Sequence, residues 1–258
     1  FFLAPGKGKN MKKKLFCILL SLAMVLTMMP MATMSAFAGE TKTANSWEGL
    51  QAAIDNANEG DTIKLTADIR AESGNETISV SNEITLDLNG YMLDMDVENS
   101  QCSYSVIEVV EGGDLTIIDS PNDSAASHDI YSCNGEDYNY GHWFSYKPEG
   151  YDDEDEVYTK HISINGGLIT GTYGCAAVFV DTGSQVTLQR GNIAGNVAWD
   201  DGGGVFVEDG GKFVMNGGNI SYNEAAYGGG VAVGSRSSAI DKGEFILNGG
   251  TISNNIAY

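Results

Sequence analysis

The sequence predicts an all-β fold, a parallel β-helix in which short strands stack as successive turns of a solenoid. The first observation is an eleven-residue cassette that occurs four times, at Ile162–Thr172, Val186–Asn196, Phe213–Asn223 and Phe245–Asn255. The cassette starts at positions 162, 186, 213 and 245 lie 24, 27 and 32 residues apart, which is the period range of stacked repeat proteins. The second observation is a glycine-rich strand that follows the middle copies, at Gly202–Val207 and Gly228–Val233.

Each cassette has the pattern of a strand, a glycine turn and a second strand. In the third copy Phe213 and Met215 share one face of the first strand, because side chains two residues apart point the same way. The turn Asn216–Gly218 follows, where glycine takes positive φ without steric cost, and Ile220 returns to the core. The corresponding apolar pairs are Ile162/Ile164, Val186/Leu188 and Phe245/Leu247. Three short strands per repeat without helices between them favour a parallel β-helix over a sandwich, which would need hairpins.

Asparagines recur at fixed cassette positions and predict structural ladders. Asn196, Asn223 and Asn255 end three of the four copies, and Thr172 ends the first. Identical asparagines on successive turns can bond amide to amide along the solenoid axis. The turn asparagines Asn216 and Asn248, with Asn165 and the substitute Gln189, predict a second ladder. We therefore expect these asparagines to be scaffold residues, and we expect no catalytic residues in this chain.

The N-terminal elements fit the same architecture. Residues Ser46 to Ala57 predict one short helix, capped by Ser46, with Trp47, Leu50 and Ile54 on one face. Downstream, short β-rich runs predict strands at 62–65, 76–80, 84–88, 106–110 and 115–118. We expect the helix to cap the solenoid, because its first turn would otherwise present an open sheet edge.

The chain divides into a leader and one elongated domain. Residues 1–10 precede Met11, and we expect them to be a non-native leader. Residues 11–38 have the lysine head, apolar stretch and Ala-Phe-Ala end of a secretory signal peptide. Residues 39–258 are predicted to form the β-helix, with an insertion at 119–160 that breaks the repeat. The repeat stops at Tyr258 without a visible cap, so we expect a longer natural protein.

Charge and cysteine content restrict the classes of partner. The chain has 14 basic and 35 acidic residues; removing the five lysines of the leader leaves 9 basic residues and a net charge near −26. Such a surface repels nucleic acid and anionic membranes, and no transmembrane segment follows the leader. The remaining cysteines, Cys102, Cys133 and Cys175, lack the spacing of a zinc site. Two interpretations remain open. Either the chain has one disulfide, for which Cys102 and Cys133 are the nearest pair in sequence, or all three cysteines are buried free thiols.

The repeat resembles that of a known class of bacterial surface protein. The pattern NGGxIxxN followed by GGGVxV, here Asn216–Asn223 and Gly228–Val233, is similar to adhesin-like, pectin-lyase-like parallel β-helix proteins. It is also similar to the repeats of the polymorphic outer-membrane-protein family, with isoleucine where that family prefers phenylalanine. The resemblance implies a right-handed solenoid and a secreted or cell-surface location. It implies an adhesin-like or structural, non-enzymatic protein, with glycans or host and cell-surface proteins as partners.

The pectin-lyase-like β-helix proteins that this repeat resembles also include enzymes, so an enzymatic function is the alternative. A polysaccharide lyase or glycoside hydrolase acting on acidic polysaccharide would need acidic calcium ligands, a basic residue, or paired acids. The candidates are Arg190, in a cassette turn, and the pair Asp200-Asp201, before three glycines. The histidines His128, His142 and His161 lie in or beside the insertion, away in sequence from that pair. We interpret Arg190, Asp200 and Asp201 as solvated turn residues.

The insertion is the candidate binding region. It concentrates acidic side chains, and Asp152, Asp153 and Asp155 are candidate calcium ligands because calcium prefers carboxylate oxygens. It also carries eight aromatic residues: Tyr131, Tyr138, Tyr140, Trp143, Phe144, Tyr146, Tyr151 and Tyr158. Exposed aromatics can contact sugar rings or protein partners, or they can pack the insertion onto the solenoid. A glycan- or calcium-binding module centred on 119–160 is therefore a third hypothesis; no other cofactor is expected.

Overall fold

The computed structural model describes residues 39–72, 74–95, 104–120, 127–133, 142–144, 158–234 and 242–258. Within these residues it has one helix, α1 (Trp47–Asp55), and a series of short strands. In chain order the strands are β1 (Thr41–Ala44), β2 (Asp61–Leu65), β3 (Ile69–Arg70), β4 (Ile78–Val80), β5 (Glu83–Asp87), β6 (Met92–Asp94), β7 (Ile107–Val109), β8 (Asp114–Ile118), β9 (His128–Cys133), β10 (His142–Phe144), β11 (Tyr158–Ile164), β12 (Leu168–Thr170), β13 (Tyr173–Gly174), β14 (Val178–Val180), β15 (Gln185–Leu188), β16 (Asn192–Ala194), β17 (Val197–Ala198), β18 (Val205–Val207), β19 (Lys212–Met215), β20 (Asn219–Ser221), β21 (Glu224–Ala225), β22 (Val231–Val233), β23 (Glu244–Leu247), β24 (Thr251–Ser253) and β25 (Ile256–Ala257).

Four parallel sheets run through the structure. The first has the order β1-β2-β5-β8-β15-β19-β23, the second β3-β6-β12-β16-β20-β24, the third β4-β7-β14-β18-β22 and the fourth β13-β17-β21-β25. From β2 onward, apart from β9, β10 and β11, successive strands enter different sheets, and the chain then returns to the first sheet one position further on. The chain is thus an all-β protein of stacked parallel strands with a single described helix, the arrangement of a parallel β-helix.

The core lies inside these turns, where equivalent positions stack. Val186 of β15 pairs with Leu115 of β8 on one side and with Phe213 of β19 on the other. All three side chains are fully buried. Burial of each such side chain contributes about 1.5–3 kcal/mol to folding, so the stacked rows form the main stabilising element. Phe213 continues the row by stacking on Phe245, with ring centroids 5.6 Å apart.

The first cassette copy departs from the sequence prediction. Ile162 and Ile164 were expected to occupy the first sheet, but they lie in β11, which pairs antiparallel with β9. Leu115 and Ile117 of β8 take their place beside β15. The prediction was wrong because an alternating apolar pair marks any half-buried strand and does not identify its partner. The second half of this copy, β12, does join the second sheet beside β16.

The N-terminal end is covered by two elements. β1, which is not among the strands predicted from the sequence, pairs with β2 and forms the edge of the first sheet. α1 begins after Ser46, whose Oγ accepts from the Gly49 backbone N–H at 3.1 Å. The Gln51 side chain bonds the edge strand β4 like a neighbouring strand: its Nε2 donates to the Ser79 carbonyl at 3.0 Å, and its Oε1 accepts from the Ser79 N–H at 2.8 Å. α1 therefore satisfies backbone groups that an open edge would expose.

Candidate functional site

An amide row runs through Asn196 and Asn223, which are fully buried, and Asn255, which is half-buried. Asn196 Nδ2 donates to Asn223 Oδ1 at 2.9 Å, and Asn223 Nδ2 donates to Asn255 Oδ1 at 3.0 Å. Each side chain also bonds backbone: Asn223 Nδ2 reaches the Ile193 carbonyl at 2.9 Å, and Asn255 Nδ2 reaches the Ile220 carbonyl at 2.9 Å. Thr172, the exception in the sequence pattern, extends the row, because its Oγ1 lies 3.3 Å from Asn196 Oδ1. These contacts link the side chains of four successive turns.

The glycine triplets pack directly on this row. Gly202 has a φ of +67°, a conformation that side chains other than glycine rarely adopt. A Cβ on Gly204 would lie 2.9 Å from Asn223 Nδ2, and a Cβ on Gly230 would lie 2.7 Å from Asn255 Nδ2. Such distances are too short for a side chain. The GGG motif therefore follows from the close approach of the third sheet to the asparagines of the next turn.

Two further asparagine pairs lie nearer the surface. Asn248 Nδ2 donates to Asn216 Oδ1 at 2.8 Å in the exposed glycine turns, where the sequence predicts a second ladder. Asn219 Nδ2 donates to Asn192 Oδ1 at 2.9 Å in a row that sequence reasoning missed. The sequence signal for this row is the asparagine that directly follows the last turn glycine in both the second and the third copy, Asn192 and Asn219.

The candidate calcium ligands Asp152, Asp153 and Asp155 lie outside the described residues. Among the residues that the structure does describe, no group of three or more His, Cys, Asp or Glu side chains is placed to hold a metal ion. Cys102 also lies outside them, Cys133 ends β9, and Cys175 is half-buried. The calcium site and the disulfide pairing remain predictions.

The candidate catalytic residues occupy different parts of a turn. Arg190 is exposed in the corner between β15 and β16, whereas Asp200 and Asp201 follow β17. Asp201 forms an isolated parallel bridge with Tyr227 of the next turn. The Asp200 carbonyl accepts from the Tyr227 N–H at 2.8 Å. The backbone around the acid pair thus joins two adjacent turns.

The insertion and the residues directly after it form a three-stranded antiparallel sheet in the order β10-β9-β11. Ile130 of β9 and Ile164 of β11 pack with Leu168 and Ala194 of the second sheet in a small separate core. His128, at the start of β9, is buried with its Nε2 3.0 Å from the Gly90 carbonyl. The base of the insertion is therefore attached to the wall of the β-helix.

One carboxylate links the start of the insertion to the residue that precedes β12. Asp119, the first residue after β8, accepts from the Gly90 N–H at 2.6 Å and from the Gly167 N–H at 2.9 Å. Gly167 immediately precedes β12, so the chain leaves and re-enters the wall at the same carboxylate. Charged hydrogen bonds of this kind contribute roughly 1.5–3 kcal/mol each. The insertion therefore starts from a fixed point.

A cross-strand cluster orders the outer part of this sheet. Asp129 of β9 accepts from Ser163 Oγ at 2.6 Å and lies 3.0 Å from His161 Nε2. These hydrogen bonds hold the pKa of Asp129 below its ordinary value, and the bond from Ser163 has the largest effect. Tyr131 packs on the His161 ring with centroids 5.2 Å apart. Because the serine and the histidine both contact the aspartate, the arrangement cross-links β9 to β11 and does not relay a proton from serine to histidine.

A second surface cluster, which sequence reasoning missed, lies along the fourth sheet. We name Tyr173, Trp199, Tyr227 and Tyr258 the aromatic strip. Tyr173 and Trp199 meet edge to face, with ring centroids 5.8 Å apart and planes at 89°. Burial raises the pKa of Tyr173; burial, with the negative charges of Glu224 and Asp200, raises the pKa of Tyr258. The strip therefore combines aromatic rings with nearby carboxylates.

Comparisons with known proteins concern the first part of the chain. Residues 41–147 match the family described as "Putative pectate lyase-like adhesive domain". No curated protein matches the chain, and neither does a solved structure. In the described part of the chain, no helix is long and apolar enough to cross a membrane. The matched range begins at β1 and runs into the insertion, so the segment with α1 and the first turns is similar to a pectate lyase-like adhesive domain.

Proposed function

We propose that the protein is a secreted or cell-surface adhesin-like rod without enzymatic activity. In this proposal the chain is a right-handed β-helical solenoid, and the insertion is its binding element. The observation that carries the proposal is the attachment of the insertion at the Asp119 carboxylate, within a segment similar to an adhesive domain. The repeats of 162–258, with their likeness to polymorphic outer-membrane-protein repeats, would extend the rod.

The way the insertion is anchored supports a binding role. Asp119 ties the start of the insertion to Gly167 before β12, the core around Ile130 fixes β9, and Asp129 joins β9 to β11. The connecting segments therefore start from an ordered base. Pre-organisation of this kind lowers the entropy cost of binding. The sequence of these segments is rich in aromatic and acidic residues, which suits contacts with glycans or with proteins at a cell surface.

Composition supports the proposed location. The leader at 11–38 predicts export, and the net charge near −26 after its removal keeps an extracellular protein soluble and repels anionic polymers. The proposal therefore places the binding partners outside the cell.

The test replaces residues 145–157, between β10 and β11, with a Gly/Ser linker of equal length in the full chain. This change removes Tyr146, Tyr151 and the candidate calcium ligands but keeps all strands of the insertion. We expect wild-type protein to bind cells and cell-wall material, and we expect the linker variant to lose this binding at an unchanged melting temperature. The matched control is Tyr104→Ala, which removes an exposed aromatic outside the insertion and should bind normally. Equal binding by the linker variant would contradict the proposal. Release of unsaturated or reducing products from polyuronates with calcium would favour the enzymatic alternative.

A further inference from the structure

We infer that the aromatic strip binds a neutral, β-linked polysaccharide. This inference goes beyond the proposed function, because the strip consists of residues outside the insertion. It rests on the positions of four aromatic side chains, on their exposure and on the carboxylates beside them.

The strip follows from the register of the fourth sheet. Gly174 pairs with Ala198, and Ala225 pairs with Ala257. The residues that follow these four positions on successive turns are Cys175, Trp199, Ala226 and Tyr258. The pairing continues through them, because the Trp199 N–H donates to the Gly174 carbonyl at 3.2 Å and the Tyr258 N–H donates to the Ala225 carbonyl at 3.2 Å.

A small residue between two aromatic ones makes the strip continuous. Ala226 leaves room on the turn between Trp199 and Tyr258. The Tyr258 side chain crosses that turn, since its Oη donates to the Ala198 carbonyl at 3.4 Å. Trp199 in turn contacts Tyr173 on the preceding turn. Because stacked strands lie about 4.8 Å apart, the backbone advances about 14 Å over the three steps from Tyr173 to Tyr258. The Tyr258 ring reaches back toward Ala198, so the rings themselves cover a shorter length, with one ring over each of three successive turns.

Three of the four rings are exposed. Trp199 is 45% exposed, Tyr227 54% and Tyr258 46%, whereas Tyr173 is half-buried. Two hydrogen bonds fix the Tyr227 backbone. The Tyr227 N–H donates to the Asp200 carbonyl at 2.8 Å, and the Tyr227 carbonyl accepts from the Gly202 N–H at 2.9 Å. Contiguous exposed apolar surface on a soluble protein commonly marks an interaction site. The edge-to-face contact of Tyr173 with Trp199 and the Tyr258 Oη hydrogen bond hold these three rings, which therefore lose little entropy on binding.

The chemistry of the strip selects the ligand class. Aromatic faces pack against the C–H face of a pyranose ring, and a carboxylate accepts hydrogen bonds from sugar hydroxyls. Asp200 is exposed beside Trp199 in sequence, and its charge contributes to the raised pKa of Tyr258. An anionic polymer would be repelled by this carboxylate and by the net charge near −26 of residues 39–258. A β-1,4-linked chain advances per sugar by a length close to the turn spacing, so successive sugars would meet successive turns.

The experiment is calorimetric titration of the full chain with cellohexaose and with chitohexaose. We expect binding of at least one of them, at least tenfold weaker binding by Trp199→Ala, and partial retention by Trp199→Phe. Tyr104→Ala is the matched control, because Tyr104 is 44% exposed and lies off the strip; it should bind like wild type. Melting curves check that each variant folds.

Three outcomes would overturn the inference. They are no binding of either oligosaccharide by wild-type protein, equal binding by Trp199→Ala, and binding only of a trimethylammonium polymer that stacks on the same rings. The 145–157 linker variant separates this site from the proposed function. It should bind the oligosaccharide normally and lose cell-surface binding, whereas Trp199→Ala should show the opposite pattern.

Discussion

The buried amide row makes a quantitative prediction at Asn223. The substitution Asn223→Leu removes the side-chain bonds to Asn196, Asn255 and the Ile193 carbonyl. The Asn196 N–H also loses its partner, since it donates to Asn223 Oδ1 at 3.2 Å. The change therefore deprives two buried backbone groups of the partner that this side chain provides.

The cost can be worked out from these contacts. Each buried group left without a partner costs about 1–3 kcal/mol, so two groups cost about 2–6 kcal/mol. Burial of the leucine side chain offsets about 1.5–3 kcal/mol. Gly204 packs so closely on the Asn223 side chain that a Cβ added to this glycine would lie 2.9 Å from Asn223 Nδ2. The leucine methyl groups would therefore crowd Gly204, and overpacking of this kind adds about 1–3 kcal/mol. We expect a net loss of roughly 2–4 kcal/mol.

The assay is thermal unfolding followed by far-ultraviolet circular dichroism. For a domain of this size, each kcal/mol corresponds to about 2–4 °C, so the melting temperature should fall by about 5–15 °C. Asn216→Leu is the matched control, because Asn216 forms an amide pair with Asn248 at 2.8 Å but lies at the surface. Its effect should stay within about 0.5 kcal/mol. An unchanged melting temperature for Asn223→Leu, or an equal loss in both variants, would refute the reasoning.

Two other predictions concern packing and pH. Gly204→Ala should destabilise the protein by more than about 2 kcal/mol, because the new Cβ would lie 2.6 Å from the Gly230 carbonyl; urea unfolding of this variant beside the wild-type protein measures the loss. A wild-type midpoint for the variant would contradict it. Hydrogen bonds from Lys42 and the Asn58 N–H lower the pKa of Asp61 from 3.8 to about 2. Because the folded pKa is depressed, the stabilisation is complete above about pH 4 and is lost as the pH falls toward 2. Asp61→Asn should therefore flatten the dependence of the melting temperature on pH in this range, and an unchanged slope would exclude Asp61 as its cause.

The sequence predicted features that repeat at a fixed spacing. The second, third and fourth cassettes lie in register in the first two sheets, since Val186, Phe213 and Phe245 pair in succession. The asparagines at the cassette ends lie within hydrogen-bond distance of one another. These features were readable because a repeat constrains each position by its equivalents in the other copies.

Features without a repeat were not predicted. The first cassette was assigned to the wrong partner, because Ile162 and Ile164 alternate in β11 as they would in the first sheet. β8, which precedes the insertion, supplies the missing strand of the first sheet. Its pairing with β15 joins residues about 70 positions apart, Asp114 with Gln185. Local alternation carries no information about such a distant pairing.

The sequence by itself determined the fold class, the repeat and the positions of the asparagines at the cassette ends, because hydrophobic alternation and recurring asparagines are local and periodic. The tertiary structure decided which strands pair across the insertion, that Asn219 bonds Asn192, that Asp119 bonds the Gly167 N–H, and which surface residues meet. The aromatic strip shows the difference most clearly: Tyr173, Trp199 and Tyr258 have no common motif, and only the stacking of turns and the small Ala226 between them bring their rings together. Their proximity is set by the register between turns, which is a property of the packed chain.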